Sequence, residues 1–148
     1  MLIPHVVQTE ADKVFINVMN NQTIAVSDGD VLAWNVSTPN GVRTTQIVSA
    51  TLSLFCGIAD GTIAAGAYGL AQAYGYKAAA LISNDTSIAI VAGDILVPVN
   101  AQDYLDRVES GGAVEVYGVG GTGLVYAAEG VATGATASAT SAVFIRAL

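Results

Sequence analysis

The stretch Tyr68-Gly-Leu-Ala-Gln-Ala-Tyr-Gly-Tyr-Lys77 alternates without a break. Tyr68, Leu70, Gln72, Tyr74 and Tyr76 fall on one side, and Gly69, Ala71, Ala73, Gly75 and Lys77 on the other. A period of two is that of an extended strand, whose successive side chains point to opposite faces. One face is bulky and the other nearly flat, so a second sheet or subunit can approach the flat side closely. The pattern predicts a β-strand at a sheet-to-sheet or subunit contact.

The same reading extends outward in both directions. Val14 to Val18 and Thr23 to Val26 are β-prone runs around a turn at Met19 to Gln22, which predicts a hairpin. Val31 to Val36 follows Ser27-Asp-Gly-Asp30 and precedes Ser37-Thr-Pro-Asn-Gly41, where Pro39 and Gly41 suit a tight turn. Thr44 to Leu54 is rich in Thr, Ile, Val and Leu, a composition that suits a pleated, half-buried surface. Ser87 to Val91 and Asp94 to Val99 flank a turn at Ala92 to Asp94, with Pro98 marking an edge or strand end. Asn100 is placed to cap a short helix over residues 100–109, with Tyr104, Leu105 and Val108 on one face and Asp103, Asp106 and Arg107 toward solvent, ended by Gly111-Gly112. Ala113 to Val119, Leu124 to Ala128 and Thr136 to Ala147 read as further strands. The expectation is a mainly β protein, a compact sandwich or barrel-like domain with about ten short strands and one short helix. Residues 1–12 are expected to be an N-terminal arm and 13–148 a single domain, and no internal repeat is convincing.

At 148 residues the chain is long enough to bury a core without staples. Cys56 is the only cysteine, so no intrachain disulfide forms, and no Cys/His spacing suits zinc. Charged residues make up 11% of the chain, against roughly 25% in an ordinary soluble domain. A surface this neutral is poorly protected against association, which points to surface meant to be covered. The net charge of −7, with Lys13, Arg43, Lys77, Arg107 and Arg146 scattered singly, disfavours nucleic acid as a partner. Mean hydropathy is +0.56, yet the one span long enough for a bilayer, Gly61 to Ser83, is built of Ala and Gly with tyrosines, so no membrane partner is expected. Met1-Leu-Ile-Pro-His5 lacks the basic start and apolar core of a signal peptide, which predicts a protein made in the cytosol.

Chemistry-bearing motifs are few. His5, the only histidine, lies in the expected arm, a poor anchor for a catalytic base. Asp28 and Asp30 flank Gly29 without the further ligands of a calcium loop, and Asp103, Asp106 and Glu109 read as a solvated face. Gly118-Val-Gly-Gly-Thr-Gly123 lacks the Lys and Ser/Thr of a phosphate loop and is followed by the strand-like Leu124-Val-Tyr126. No catalytic residue, metal ligand or cofactor is therefore expected, and the protein is read as non-enzymatic. Trp34, Tyr68, Gln72, Tyr74 and Tyr76 are the candidate subunit-interface residues, because aromatic groups combine large area with a polar handle; for Trp34, core packing is the competing role.

Three segments carry a family likeness: Gly61-Thr-Ile-Ala-Ala-Gly-Ala67 continuing through Lys77, Ala92-Gly-Asp-Ile-Leu-Val97, and Gly130-Val-Ala-Thr-Gly134 leading to Ala142-Val-Phe-Ile-Arg146. In order and texture, over roughly residues 55–148, the chain resembles the head decoration, or cement, proteins of tailed bacteriophages. The resemblance implies a homotrimer on the outer capsid surface of the virion, assembled in the host cytoplasm. Its partners would be the major capsid protein and itself, and its work the reinforcement of joints between capsid subunits. A glycan- or receptor-binding module of a tail or fibre is the alternative.

Overall fold

The computed structural model describes residues 12–38, 40–46, 54–84, 89–107, 124–132 and 135–147. Its nine strands are β1 (Val14–Asn20), β2 (Val31–Trp34), β3 (Arg43–Thr45), β4 (Phe55–Asp60), β5 (Tyr68–Asn84), β6 (Ile95–Pro98), β7 (Leu105–Arg107), β8 (Leu124–Ala127) and β9 (Ala135–Arg146). All belong to one sheet in the order β1-β3-β2-β4-β5-β7-β6-β8-β9, and the mainly β expectation holds. Two additional pairings, β1 with β5 and β5 with β9, make the order return on itself twice. The first circuit runs through β1, β3, β2, β4 and the front of β5, and the second through the rear of β5, β7, β6, β8 and β9.

The two circuits have the same plan. In each, the first strand pairs in parallel with the third and antiparallel with the fifth, and the remaining neighbours are antiparallel. The sequence carries the same relation. A shift of 64 residues sets Ile24-Ala-Val-Ser-Asp-Gly-Asp-Val-Leu32 on Ile88-Ala-Ile-Val-Ala-Gly-Asp-Ile-Leu96, and a shift of 68 sets Ile63-Ala-Ala-Gly-Ala67 on Val131-Ala-Thr-Gly-Ala135. Hydrogen bonds match one for one. Ser27 N and Val91 N donate to the carboxylates of Asp30 and Asp94. Gly29 N and Gly93 N donate to the carbonyls of Ala59 and Ala127, and Val26 and Ile90 bridge to Ile63 and Val131. Gly29 and Gly93 share a φ near +92°, a conformation glycine adopts without steric cost. The chain is a tandem duplication, contrary to the expectation of no internal repeat. Strand β5 is the last strand of the first repeat and the first strand of the second.

Packing follows the duplication. The smaller core contains Val18, Val26, Leu32, Cys56, Ala59, Ile63 and Ala71. The larger contains the corresponding Ile82, Ile90, Leu96, Ala127 and Val131, together with Leu105, Val125, Val143 and Ile145. Strands β2 and β4 form a wall between the two, because Leu32, Cys56 and Ala59 face the smaller core while Val31, Ala33, Phe55 and Ile58 face the larger. Both faces of β4 are buried, so its sequence, Phe-Cys-Gly-Ile-Ala, is an unbroken apolar run without alternation.

Four local expectations need correction. The expected strand Ser87 to Val91 is not formed over its described residues 89–91, where Ile90 makes only an isolated bridge to Val131. No helix forms over 100–107: residues 100–104 make turns, Ala101 has φ of 58°, and Leu105–Arg107 is a strand paired with β6 at Leu96, Val97 and Pro98. Leu105 is fully buried in the larger core, and the ion pair of Arg107 Nε with Asp94, 3.2 Å, holds the strand in place; tertiary pairing overrides the helical spacing. Thr23–Val26 is not a strand. The Asn20 amide donates to the carbonyls of Ile24 (2.8 Å) and Ile63 (3.0 Å) while its oxygen accepts from Gln22 N, and this local bonding replaces a ladder. Strand β5 extends to Asn84, and β4 had no counterpart among the expected strands. The expected arm up to Ala11, the strand over 113–119 and the glycine run 118–123 lie outside the described residues.

Candidate interaction face

The bulky side of β5 faces outward. Tyr68, Leu70 and Tyr74 are exposed, and Tyr76 is half-buried, with its ring edge-on to Phe144 at 5.6 Å. Neighbouring strands continue the surface. On β1, Val14 stands opposite Tyr74 and Met19 opposite Tyr68, and Phe15 lies exposed across from Gln72. On the other flank Phe144 stands opposite Tyr76 and Tyr126, and Tyr126 opposite Ile95. The result is one outward apolar face running from β1 through β5 and β9 to β8 and β6. Exposed Lys13 and Arg146 border it, Arg146 directly opposite Tyr74.

Of the five residues singled out from sequence, Tyr68, Tyr74 and Tyr76 share this face. Gln72 does not contribute to its surface: it is buried, and its amide donates to the carbonyls of Tyr74 (3.1 Å) and Tyr76 (3.0 Å). It serves the kink at Gly75, where φ is +96° and a Cβ would strike the Asp12 carbonyl. Trp34 lies elsewhere, half-buried against the smaller core. Phe15, Tyr126, Ile95 and Phe144 were missed, since only strand pairing brings them beside β5.

The flat side of β5 turns inward. Ala71 and Ala73 are fully buried, and Gly69 leaves room for Ile63, whose Cγ1 would be 2.5 Å from an added Cβ. The predicted close approach is thus internal. At the end of this side the Lys77 ammonium, 6% exposed, lies 2.9 Å from both Asp28 and Asp60, which are 53% and 41% exposed. The Gly61 N–H, and then Lys77, hold the Asp28 carboxyl below its ordinary 3.8. Burial works against the Lys77 charge, but the two carboxylates outweigh it and hold its pKa above 10.5. Asp28 thus stabilises the fold above the ordinary carboxylate range and ceases to as pH falls through its lowered value. Lys77 stabilises below 10.5 and ceases to as pH rises through its raised value. Asp30, raised by burial, has the opposite sense in acid.

Lys77→Met is therefore expected to cost about 1 to 2 kcal/mol near neutral pH, less than a fully buried pair because the orphaned carboxylates reach water. Its stability should also lose the alkaline decline and part of the acid decline, as measured by urea unfolding across pH.

Cys56 faces the smaller core, its thiol 3.4 Å from the Leu32 carbonyl, and burial pushes its pKa up to about 12. A thiol reagent at pH 8 is expected to leave it unmodified in the native protein and to react stoichiometrically in denaturant; rapid native labelling would contradict this placement.

Among the described residues no group of three or more His, Cys, Asp or Glu side chains is placed to hold a metal ion, and no helix is long and apolar enough to cross a membrane. Asp103, part of the acidic set on the expected helix, uses its carbonyl to accept from Val31 N at 2.9 Å. His5 and Glu109 lie outside the described residues. Compared with known proteins, the chain matches no family model and no curated sequence.

Proposed function

We propose that this chain is a non-catalytic structural protein that works by packing against protein subunits. More specifically, we propose that it decorates the outer surface of a bacteriophage capsid as a homotrimer and reinforces contacts between major capsid subunits. The observation that carries the first statement is the continuous outward apolar face across β1, β5, β9, β8 and β6, on a chain with few charges to keep it apart from others. The capsid assignment adds the resemblance of residues 61–77, 92–97 and 130–146 to head decoration proteins. Repetition over many equivalent sites lets modest contacts stabilise a shell by mass action and avidity. Glycan recognition is the weaker reading, because Trp34, one of the aromatics it would use, packs against the smaller core.

The test is to add the purified protein to undecorated capsids and to follow binding by electron microscopy and capsid survival on heating. Ordered density on the outer surface with raised heat resistance is the expected result. Bare capsids of unchanged resistance would overturn the capsid assignment, and selective binding on a glycan array would replace it with the tail or fibre reading.

A further inference from the structure

Of the seven asparagines in the chain, Asn40 alone is followed by glycine. The carbonyl carbon of an asparagine side chain is electrophilic, and the nitrogen of the next residue closes a five-membered ring on it most readily where that residue has no Cβ in the way. Both residues of the pair are exposed at the entry to β3. Gly41 has φ of +76°, and a Cβ added to it would meet nothing within 4 Å. The Asn40 side chain is also held in place, its Oδ1 accepting from the backbone N–H groups of Val42 at 3.2 Å and Arg43 at 2.9 Å. Two donors on this oxygen draw electron density from Cγ, and they stand where negative charge collects when a nucleophile adds to the carbonyl. Among the described residues the Gly41 N–H donates to no acceptor, so its nitrogen is not committed elsewhere. The chain has two sterically similar pairs, Asp28-Gly29 and Asp60-Gly61, and both are disarmed. Gly29 N is bonded to the Ala59 carbonyl at 3.1 Å and Gly61 N to the Asp28 carboxylate at 3.0 Å. Both aspartates are paired with Lys77, and a carboxylate anion is a poor electrophile.

We propose that the Asn40-Gly41 pair is a site of spontaneous deamidation in the native protein, with water as the co-reactant, through which the chain gains one further negative charge as it ages. The Gly41 nitrogen loses its proton to water or hydroxide and attacks Cγ of Asn40. The new N–C bond forms, the Cγ–Nδ2 bond breaks, and Nδ2 takes up a proton and leaves as ammonia. Water then opens the resulting succinimide at either carbonyl. Opening at Cγ gives an ordinary aspartate, and opening at the main-chain carbonyl gives isoaspartate, whose chain runs through the former side chain. The two products meet the fold differently. The ordinary aspartate keeps an oxygen for the Val42 and Arg43 N–H groups. Isoaspartate lengthens the main chain by one carbon just before Val42 and Arg43, whose carbonyls accept from Met19 N at 2.7 Å and Asn35 N at 2.9 Å. Because β3 is paired with β1 on one side and β2 on the other, the change stays local and the fold survives it. This inference is independent of the proposed function.

Ageing the full chain in warm, mildly alkaline buffer tests it, with the same chain in guanidinium chloride as the unfolded control. Ion-exchange chromatography should resolve a growing species one charge more negative than the net −7 of the fresh protein. Peptide mass mapping should place the change at residue 40, and an isoaspartyl methyltransferase assay should detect isoaspartate in that peptide. Conversion of Asn40 in the native protein should outrun that of every other asparagine by at least about tenfold, and should fall no more than about tenfold below its own rate in the unfolded control. Two variants at this exposed position complete the test, and circular dichroism checks that each is folded. Asn40→Gln should remove the acidic species, because glutamine would have to close a six-membered ring, and Asn40→Asp should carry the added charge from the start. A smaller lead over any other asparagine, stronger protection of Asn40 in the native protein, or an acidic species that persists in Asn40→Gln would each overturn the proposal.

Discussion

Replacing Gly57 with alanine is expected to destabilise the protein by about 4 kcal/mol, combining backbone strain with overpacking of a site that has no slack. Gly57 sits in β4 with φ of +151°, and an added Cβ would lie 2.6 Å from the backbone carbonyl oxygen of Gln72 and 3.1 Å from its carbon. Neither atom is the end of a flexible side chain, so relief requires β4 and β5 to move apart. The residue also sets the side-chain register of the wall. The β2–β4 pairing shifts between Leu32 and Ala33, so that Phe55 and Ile58 face the larger core while Cys56 and Ala59 face the smaller. A bulge of this kind re-aims side chains that strict alternation would misplace. Urea unfolding of Gly57→Ala checks the expectation, and a loss below about 1 kcal/mol, the scale of an ordinary surface change, would mean that β4 relaxes far more easily than its neighbours allow.

Leu32→Ala and Leu96→Ala are each expected to cost about 3 kcal/mol, the usual range for emptying a fully buried leucine site. The two leucines occupy corresponding positions in the two repeats, and both are 1% exposed or less. They lie in different core clusters, Leu32 with Val18, Cys56 and Ile63, and Leu96 with Ile82, Val125 and Val143. Distant sites without shared partners add, so the double variant should lose the sum of the single losses to within about 0.5 kcal/mol. A marked departure from additivity in chemical denaturation would show that the β2–β4 wall transmits strain between the cores.

How much of this was legible in the sequence depends on which force placed each residue. The alternation of Tyr68 to Lys77 reported a strand with one outward and one inward face, because nothing but the pleat sets that pattern. Gln72 obeyed the alternation and still failed as a surface residue, since the kink at Gly75 draws its amide onto carbonyls of its own strand. Strand β4 was invisible because burial on both faces erases alternation, and a glycine stands at its centre. The helix over 100–109 had the right spacing of Tyr104 and Leu105, but pairing with β6 decided the outcome. Two features of the sequence hide the duplication. The shift changes from 64 to 68 along the chain, so no single period holds, and the conserved partners are exchanges among Ile, Val and Ala in a chain already rich in them. The face itself was half legible: its β5 tyrosines declared themselves, whereas Phe15, Tyr126 and Phe144 join it only through register.

Strand β5 has a consequence for how the molecule comes apart. Both pairing circuits close through it, at Tyr68–Tyr74 with β1 and at Tyr74–Asn84 with β9. Neither half can lose this strand without opening the other, so denaturation should be a single all-or-none transition despite the duplicated plan, unlike the sequential fraying of stacked repeats. Native-state hydrogen exchange would then find the amides of residues 70–82 opening only with the whole protein, and a chain dominated by such distant pairings should refold slowly.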